Sequence, residues 1–204
     1  MLQVQRLIIV VVMLVWCFAA DRSAAQDAIG AVSRIQGEAS GTRNGATRPL
    51  SLNASIFRNE VVSTGETTRL EVTFTDATRL TLGEKAKLTI DSYVFDPAAA
   101  RGTIKFGLVG AFRFVSGQAS KLAIADVSVT TPVAIVGTRG TEFWGGPIDD
   151  QALGAVSVSN AAGQQILSRP GQGTNIAAPG AAPGPVTIWP PDKVSRALAT
   201  VTFR

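Results

Sequence analysis

Apolar and polar residues alternate one by one along much of this chain, and this alternation constrains the fold more than any other feature. In the segment TRLEVTF, Leu70, Val72 and Phe74 are apolar and the residues between them are polar. Successive side chains of a β-strand point to opposite faces of a sheet. The alternation therefore predicts a strand with one face in a core and the other in water. It resumes at Leu80 and Leu82.

Asp76 and Ala77 lie between these two alternating runs, and they predict a hairpin turn. Similar short runs follow at residues 87–95, at 104–114, on both sides of Pro132, and at 156–167. Regularly spaced short strands are typical of β-sandwiches and related folds. We therefore expect an all-β protein, a single domain of short strands arranged as a β-solenoid-like roll or a sandwich.

The C-terminal tail is the one segment whose pattern favours a helix. In PPDKVSRALATVTFR, Val194, Leu198 and Val201 would share one helical face, and Asp192 would cap the helix. The preceding segment, residues 178–186, is rich in proline and glycine and predicts a surface loop.

The N-terminal residues predict a secretory signal peptide over residues 1–25. Arg6 precedes an apolar run from Leu7 to Ala20, which is shorter than the roughly 20 residues that span a bilayer, and small residues follow it. An uncleaved inner-membrane anchor is the alternative. A lipoprotein cysteine at Cys17 is disfavoured by the bulky Trp16 before it. We expect a periplasmic or secreted protein with no membrane span once the leader is removed.

Composition excludes several classes of chemistry. The chain has no histidine, and its single cysteine, Cys17, lies in the predicted leader. Ser-His-Asp, Cys-His and zinc sites therefore have no residues to form them. We expect no catalytic residues, no metal and no cofactor, hence a protein that is not an enzyme. The net charge of +4 is spread along the chain, which does not indicate a nucleic-acid partner.

The stretch TPVAIVGTRGTEFWGG contains the most unusual local pattern, with glycines on both sides of Arg139. Arg139 could pair with Glu142 or with carbonyls where two strands turn, and Gly137 and Gly140 would supply backbone freedom there. Alternatively, its guanidinium could bind a carboxylate or phosphate of a ligand. Arg139 and Glu142 are therefore candidate binding residues.

Trp144 and Trp189 are the other candidates, because each is followed by turn-forming residues, Gly145-Gly146 and Pro190-Pro191. Burial in a core is the default for tryptophan. An exposed ring beside such turns could instead stack on a sugar or on a partner chain.

Taken in order, these segments resemble the FecR domain of bacterial envelope proteins. The similar segments are IGAVSRIQGEAS, the run from VVSTGETTRLEV to KAKLTI, FGLVGAFRFVSG, and VTTPVAIVGTRGTEF, which together extend from about residue 28 to 158. The usual Gly-Ser after the strand's aspartate is replaced by Ala77 and Thr78, and Gly137-Thr138 stand where hydrophobic residues are commoner.

This resemblance implies an all-β module that contacts another envelope component, and it favours a fold-defining corner at Arg139. We assign residues 26–177 to a FecR-like domain and residues 178–204 to a Pro/Gly-rich loop and C-terminal tail. Only six residues precede the apolar run, so we expect no anti-sigma segment. The expected function is protein–protein binding in the envelope, in signalling. Binding of peptidoglycan or exported polysaccharide is the alternative, and a structural accessory role is a third.

Overall fold

The computed structural model describes residues 28–138, 140–146, 151–153 and 156–204. Its strands form two open sheets of nine strands each, and a short helix lies near the C-terminus. The predicted leader, residues 1–25, lies outside the described residues. None of the described helices is long and apolar enough to cross a membrane.

The strands follow one another closely along the chain. Their bounds are β1 (Gly30–Gln36), β2 (Ala39–Arg43), β3 (Ala46–Leu50), β4 (Ser55–Ile56), β5 (Val61–Thr64), β6 (Arg69–Phe74), β7 (Arg79–Leu82), β8 (Lys87–Asp96), β9 (Arg101–Val109), β10 (Phe112–Val115), β11 (Ile124–Thr130), β12 (Ile135–Thr138), β13 (Glu142–Gly146), β14 (Gln151–Leu153), β15 (Val156–Asn160), β16 (Gly163–Leu167), β17 (Gln172–Asn175) and β18 (Thr187–Ile188). A 3-10 helix (Ala119–Lys121) lies between β10 and β11, and the C-terminal helix is Pro191–Ala199.

Successive segments of the chain contribute strands to both sheets, so the two sheets extend in parallel along the sequence. Sheet A has the order β18-β17-β14-β13-β10-β7-β6-β1-β4, and sheet B has the order β16-β15-β12-β11-β9-β8-β5-β2-β3. The pair β9–β11 is parallel, and the other described strand pairs are antiparallel. Each segment therefore packs mainly against segments that are near it in the sequence.

The alternating residues form one core between the two sheets, which confirms the predicted all-β class. Phe74 of sheet A packs against Phe106 of sheet B with ring centroids 5.0 Å apart, and Phe106 packs against Phe114 of sheet A at 6.4 Å. All three side chains are at most 2% exposed. Their burial stabilises the contact between the sheets by about 2 kcal/mol for each large side chain.

The hairpin predicted at Asp76-Ala77 is confirmed, since it joins β6 to β7. Ala77 has φ of +65°, a left-handed conformation that glycine adopts at lower cost. The Asp76 carboxylate offsets the conformational cost at Ala77, because it accepts hydrogen bonds from the Thr78 N–H at 3.1 Å and the Thr78 hydroxyl at 2.7 Å.

The predicted C-terminal helix is also confirmed, but its predicted cap is wrong. The residue before the helix is Pro190, with no side-chain hydrogen bond at the cap, and Asp192 lies inside the first turn. Pro191 occupies the first helical position, which suits proline because its backbone angle is already compatible with a helix start. Two residues of the preceding loop, Ala181 and Val186, are partly buried against the main core. The boundary at residue 177 stays a prediction.

Candidate functional site

The outer face of sheet A carries a row of polar side chains that crosses four strands. Arg34 of β1 lies opposite Glu71 of β6, Glu71 opposite Thr81 of β7, and Thr81 opposite Arg113 of β10. We call these four residues the polar row. Because successive side chains of a strand point to opposite faces, the core residues of these strands point inward and these four side chains point outward. The row ends at Trp144 of β13, which lies opposite Arg113.

Glu142 of β13 joins the polar row through an ion pair. Arg113 Nε donates to Glu142 Oε1 at 2.6 Å, and the two side chains are 38% and 50% exposed. Glu71 accepts hydrogen bonds from the Ser33 hydroxyl at 2.8 Å and the Thr81 hydroxyl at 3.4 Å. An exposed ion pair contributes about 0–1 kcal/mol to stability, so Arg113 and Glu142 can exchange partners at little cost.

The end of the chain borders the same surface. The Arg34 guanidinium lies 4.1 Å from the centroid of the Phe203 ring, and the Arg204 N–H donates to Gln36 Oε1 at 3.0 Å. A hollow of about 290 Å³ lies between the polar row with Glu142 and residues of the chain end that include Leu198. The surface therefore combines two arginines, two glutamates and apolar walls.

Trp144 and Trp189 lie beside this hollow but are buried, 1% and 4% exposed. Their ring centroids are 6.3 Å apart, and Trp144 Nε1 donates to the Thr200 hydroxyl at 3.0 Å. Ala197 of the C-terminal helix belongs with both rings to a small second core on the outside of sheet A. Neither tryptophan presents a free ring face on which a sugar could stack.

Trp189 can pack so closely because of a glycine in β17. A Cβ atom at Gly173 would overlap the Trp189 indole ring. Lys193 of the C-terminal helix places Nζ 4.9 Å from the centroid of the same ring. These contacts hold Trp189 between sheet A and the helix.

Arg139 lies outside the described residues, so both interpretations of it stay hypotheses. The residues around it form a crossing from sheet B to sheet A, because Thr138 ends β12 and Glu142 begins β13. The Ser116 hydroxyl donates to the Thr141 carbonyl at 2.7 Å and accepts from the Thr141 N–H at 3.0 Å. The Ser116 side chain, just after β10, therefore anchors the backbone of the described part of this corner.

Residues 131–134, 136, 145 and 146 also line an apolar cleft between the sheets. The cleft has a volume of about 210 Å³, and its described lining includes Val109, Val133 and Ile176. None of the described lining residues is charged. The cleft can therefore accommodate an apolar group but offers no acid or base.

The buried acidic residues are held by internal hydrogen bonds. Glu60 accepts from Arg48 Nη2 at 2.7 Å and from the Phe57 N–H at 2.9 Å. Asp76 accepts from the Tyr93 hydroxyl at 2.9 Å, and burial raises the pKa of Tyr93 above its ordinary value. Within the described ranges, no group of three or more Asp, Glu, His or Cys residues could hold a metal ion.

Sequence reasoning found Glu142 but missed the four members of the polar row. The alternation around Glu71 and Arg113 indicated that both side chains point outward. Nothing in either local pattern indicated that β10 lies between β7 and β13. Predicting that these charged side chains lie close together would have required the order of the strands in sheet A.

Two solved structures have a similar fold over part of their length. Both are crystal structures of a proposed anti-sigma factor from Parabacteroides distasonis ATCC 8503, at 2.50 and 1.65 Å resolution. The TM-scores are 0.52 and 0.51, the sequence identity is 16% in each case, and 68% of this chain is covered. The match spans less than two thirds of those chains, 63% and 64%. A comparison with curated proteins found no match.

The family model described as FecR protein matches residues 60–162, which is half of the chain. This range runs from just before β5 to the turn after β15, and it contains Glu71, Thr81, Arg113 and Glu142. The matched range begins later than the sequence resemblance, which starts at about residue 28, so strands β1 to β4 lie outside the matched range. The chain belongs to the FecR protein family.

Proposed function

We propose that this protein is an exported, non-enzymatic module of the bacterial cell envelope that acts in signalling by binding another protein. The observation that carries the proposal is the FecR match over residues 60–162. The fold shared with a protein described as a proposed anti-sigma factor supports the same kind of role.

The polar row with Glu142 is the surface that we assign to this contact. Arg113 and Glu142 are paired yet remain 38% and 50% exposed, so a partner can reach both charges. Charged groups in an interface set its orientation and speed association more than they add raw affinity. A partner that binds this surface would present an acidic group to Arg113 and a basic group to Glu142.

The apolar walls of the hollow would supply the rest of the contact. Leu198 and Val201 come from the chain end, next to Phe203. Interfaces typically combine an apolar centre with a polar rim. The hollow offers both within one surface.

Export is part of the proposal, and the N-terminal pattern supports it. Arg6, the apolar run and the small residues before Gln26 are typical of a signal peptide.

Capture from envelope extracts tests the proposal. The purified protein is immobilised, and extract proteins that it retains at physiological salt are identified for the parent and for Glu142→Arg. Asp126→Arg is the matched control, because Asp126 is paired with Lys105 at 2.9 Å and is 57% exposed on sheet B. We expect a protein that the parent and the control retain and that Glu142→Arg loses. Retention of no specific protein, or equal retention by Glu142→Arg, would overturn the proposal.

A further inference from the structure

Four strands lie at the edges of the two open sheets: β3 and β16 in sheet B, and β4 and β18 in sheet A. An edge strand exposes backbone groups that can pair with another chain. β4 and β18 have only two residues each, and β3 contains Pro49, which has no N–H to donate. β16, with the sequence GQQIL, has five residues and neither proline nor a charged side chain.

The free edge of β16 presents the backbone N–H and C=O of Gln164 and Ile166. The pair Asn160–Gly163 closes the two-residue turn between β15 and β16. The closing pair of such a hairpin is hydrogen-bonded, and hydrogen-bonded and non-hydrogen-bonded residue pairs then alternate along the two strands. Every second residue from Gly163 therefore bonds to β15, and the backbone groups of Gln164 and Ile166 point away from it. Among the described residues, no turn, loop or cap hydrogen bond uses these groups.

We propose that β16 pairs with β16 of a second copy of this chain, antiparallel, about a twofold axis through Gln165. In this register Gln164 lies opposite Ile166 of the second copy, and Ile166 lies opposite Gln164 of the second copy. Every outward N–H then meets an outward C=O, which gives four backbone hydrogen bonds across the axis. The two copies of sheet B become one continuous sheet.

The side chains of β16 suit a copy of the same strand. Ile166 is 67% exposed, and the pairing covers it beside Gln164 of the second copy. A twofold axis places each strand against its own sequence, so charged residues would meet like charges. An uncharged strand avoids this repulsion. The contact area of one short strand is smaller than that of a stable interface, so the dimer depends on protein concentration.

Sedimentation analysis over a range of concentrations tests the pairing. Gln164→Pro removes an outward N–H and leaves the bonds to β15 in place. Thr47→Pro is the matched control, since Thr47 occupies the same position after the turn in β3. We expect reversible dimers for the parent and the control, and association weakened at least about tenfold in Gln164→Pro. A parent that stays monomeric up to ~1 mM, or a Gln164→Pro variant that dimerises like the parent, would overturn the proposal.

Disulfide formation gives a second readout that does not need a proline. Cys17 is the only cysteine of the chain, so Cys17→Ser provides a background without thiols. In that background, Gln165→Cys places the two thiols directly opposite each other at the axis, and we expect rapid formation of a disulfide-linked dimer. Thr47→Cys, on the other edge of sheet B, should form it at least about tenfold more slowly. Equal rates for the two variants would contradict the proposed axis.

Discussion

The hydroxyl of Tyr93 in sheet B is hydrogen-bonded to Asp76 in the β6–β7 turn of sheet A. It donates to Asp76 Oδ1 at 2.9 Å and accepts from the Asp76 N–H at 3.0 Å. Asp76 Oδ2 also accepts from the Ala119 N–H at 3.1 Å, in the 3-10 helix. One fully buried carboxylate therefore joins a turn, a strand of the other sheet and a short helix.

Removing this carboxylate should destabilise the protein strongly. Asp76→Ala leaves the buried Ala119 N–H and both the N–H and the hydroxyl of Thr78 without their acceptor. Each unpaired buried group costs about 1–3 kcal/mol, so we expect the free energy of unfolding to fall by at least about 3 kcal/mol in urea denaturation. Asp126→Ala, which breaks an exposed pair with Lys105, should cost less than ~1 kcal/mol. A loss below ~1 kcal/mol in Asp76→Ala would refute this view of the turn.

The ionisation of Tyr93 should be shifted to higher pH by folding. Burial is the largest cause of its raised pKa, so the folded state holds the phenolic proton more tightly than the unfolded state. The resulting stabilisation is complete below pH ~10 and is lost as pH rises further. Tyr93 is the only tyrosine in the chain, so tyrosinate absorbance reports on it alone. We expect ionisation at higher pH in the folded protein than in concentrated urea, and coincident titrations would contradict the burial.

The strands and the β6–β7 hairpin could be predicted because their signals are local. Leu70, Val72, Leu80 and Leu82 alternate with polar residues and all four are buried, because strand geometry places them on one face of the sheet. The turn at Asp76 was indicated by the break between two such runs. These predictions needed no knowledge of which strands are neighbours.

The contacts of the candidate site could not be predicted, because they depend on strand order. Arg113 and Glu142 are 29 residues apart in the chain and meet only because β10 pairs with β13. Likewise, Trp144 is buried on the outside of sheet A by a helix that begins 47 residues later, at Pro191. Burial of Trp144 is the default expectation and agrees with the structure, but nothing near Trp144 in the sequence indicates which distant element covers it.

The C-terminal helix should keep Trp144 and Trp189 out of water. Ala197 of this helix is fully buried in the cluster that contains the two rings, whereas Ala199 of the same helix is exposed. Ala197→Arg would bury an unpaired charge at a cost of several kcal/mol, so the helix should be released from sheet A. We expect a red-shifted tryptophan emission and stronger quenching in Ala197→Arg, and parent-like emission in Ala199→Arg. Identical spectra for both variants would count against this packing.

The Arg113–Glu142 pair should matter little for stability. Both side chains are more than a third exposed, and such pairs contribute about 0–1 kcal/mol. Glu142→Ala should therefore lower the melting temperature by no more than about 4 °C. Thermal unfolding followed by circular dichroism measures this shift. A much larger loss would mean that the pair is a structural element rather than an available surface.

The affinity of a charge-swapped variant for the captured envelope protein tests the central claim most directly. The double variant Arg113→Glu/Glu142→Arg keeps an ion pair between β10 and β13 but reverses the charges that a partner meets. If the outer face of sheet A binds the partner, the variant should melt within about 4 °C of the parent. Its binding of the purified partner should be at least about tenfold weaker. A folded variant that binds the partner with the parent's affinity would contradict the account.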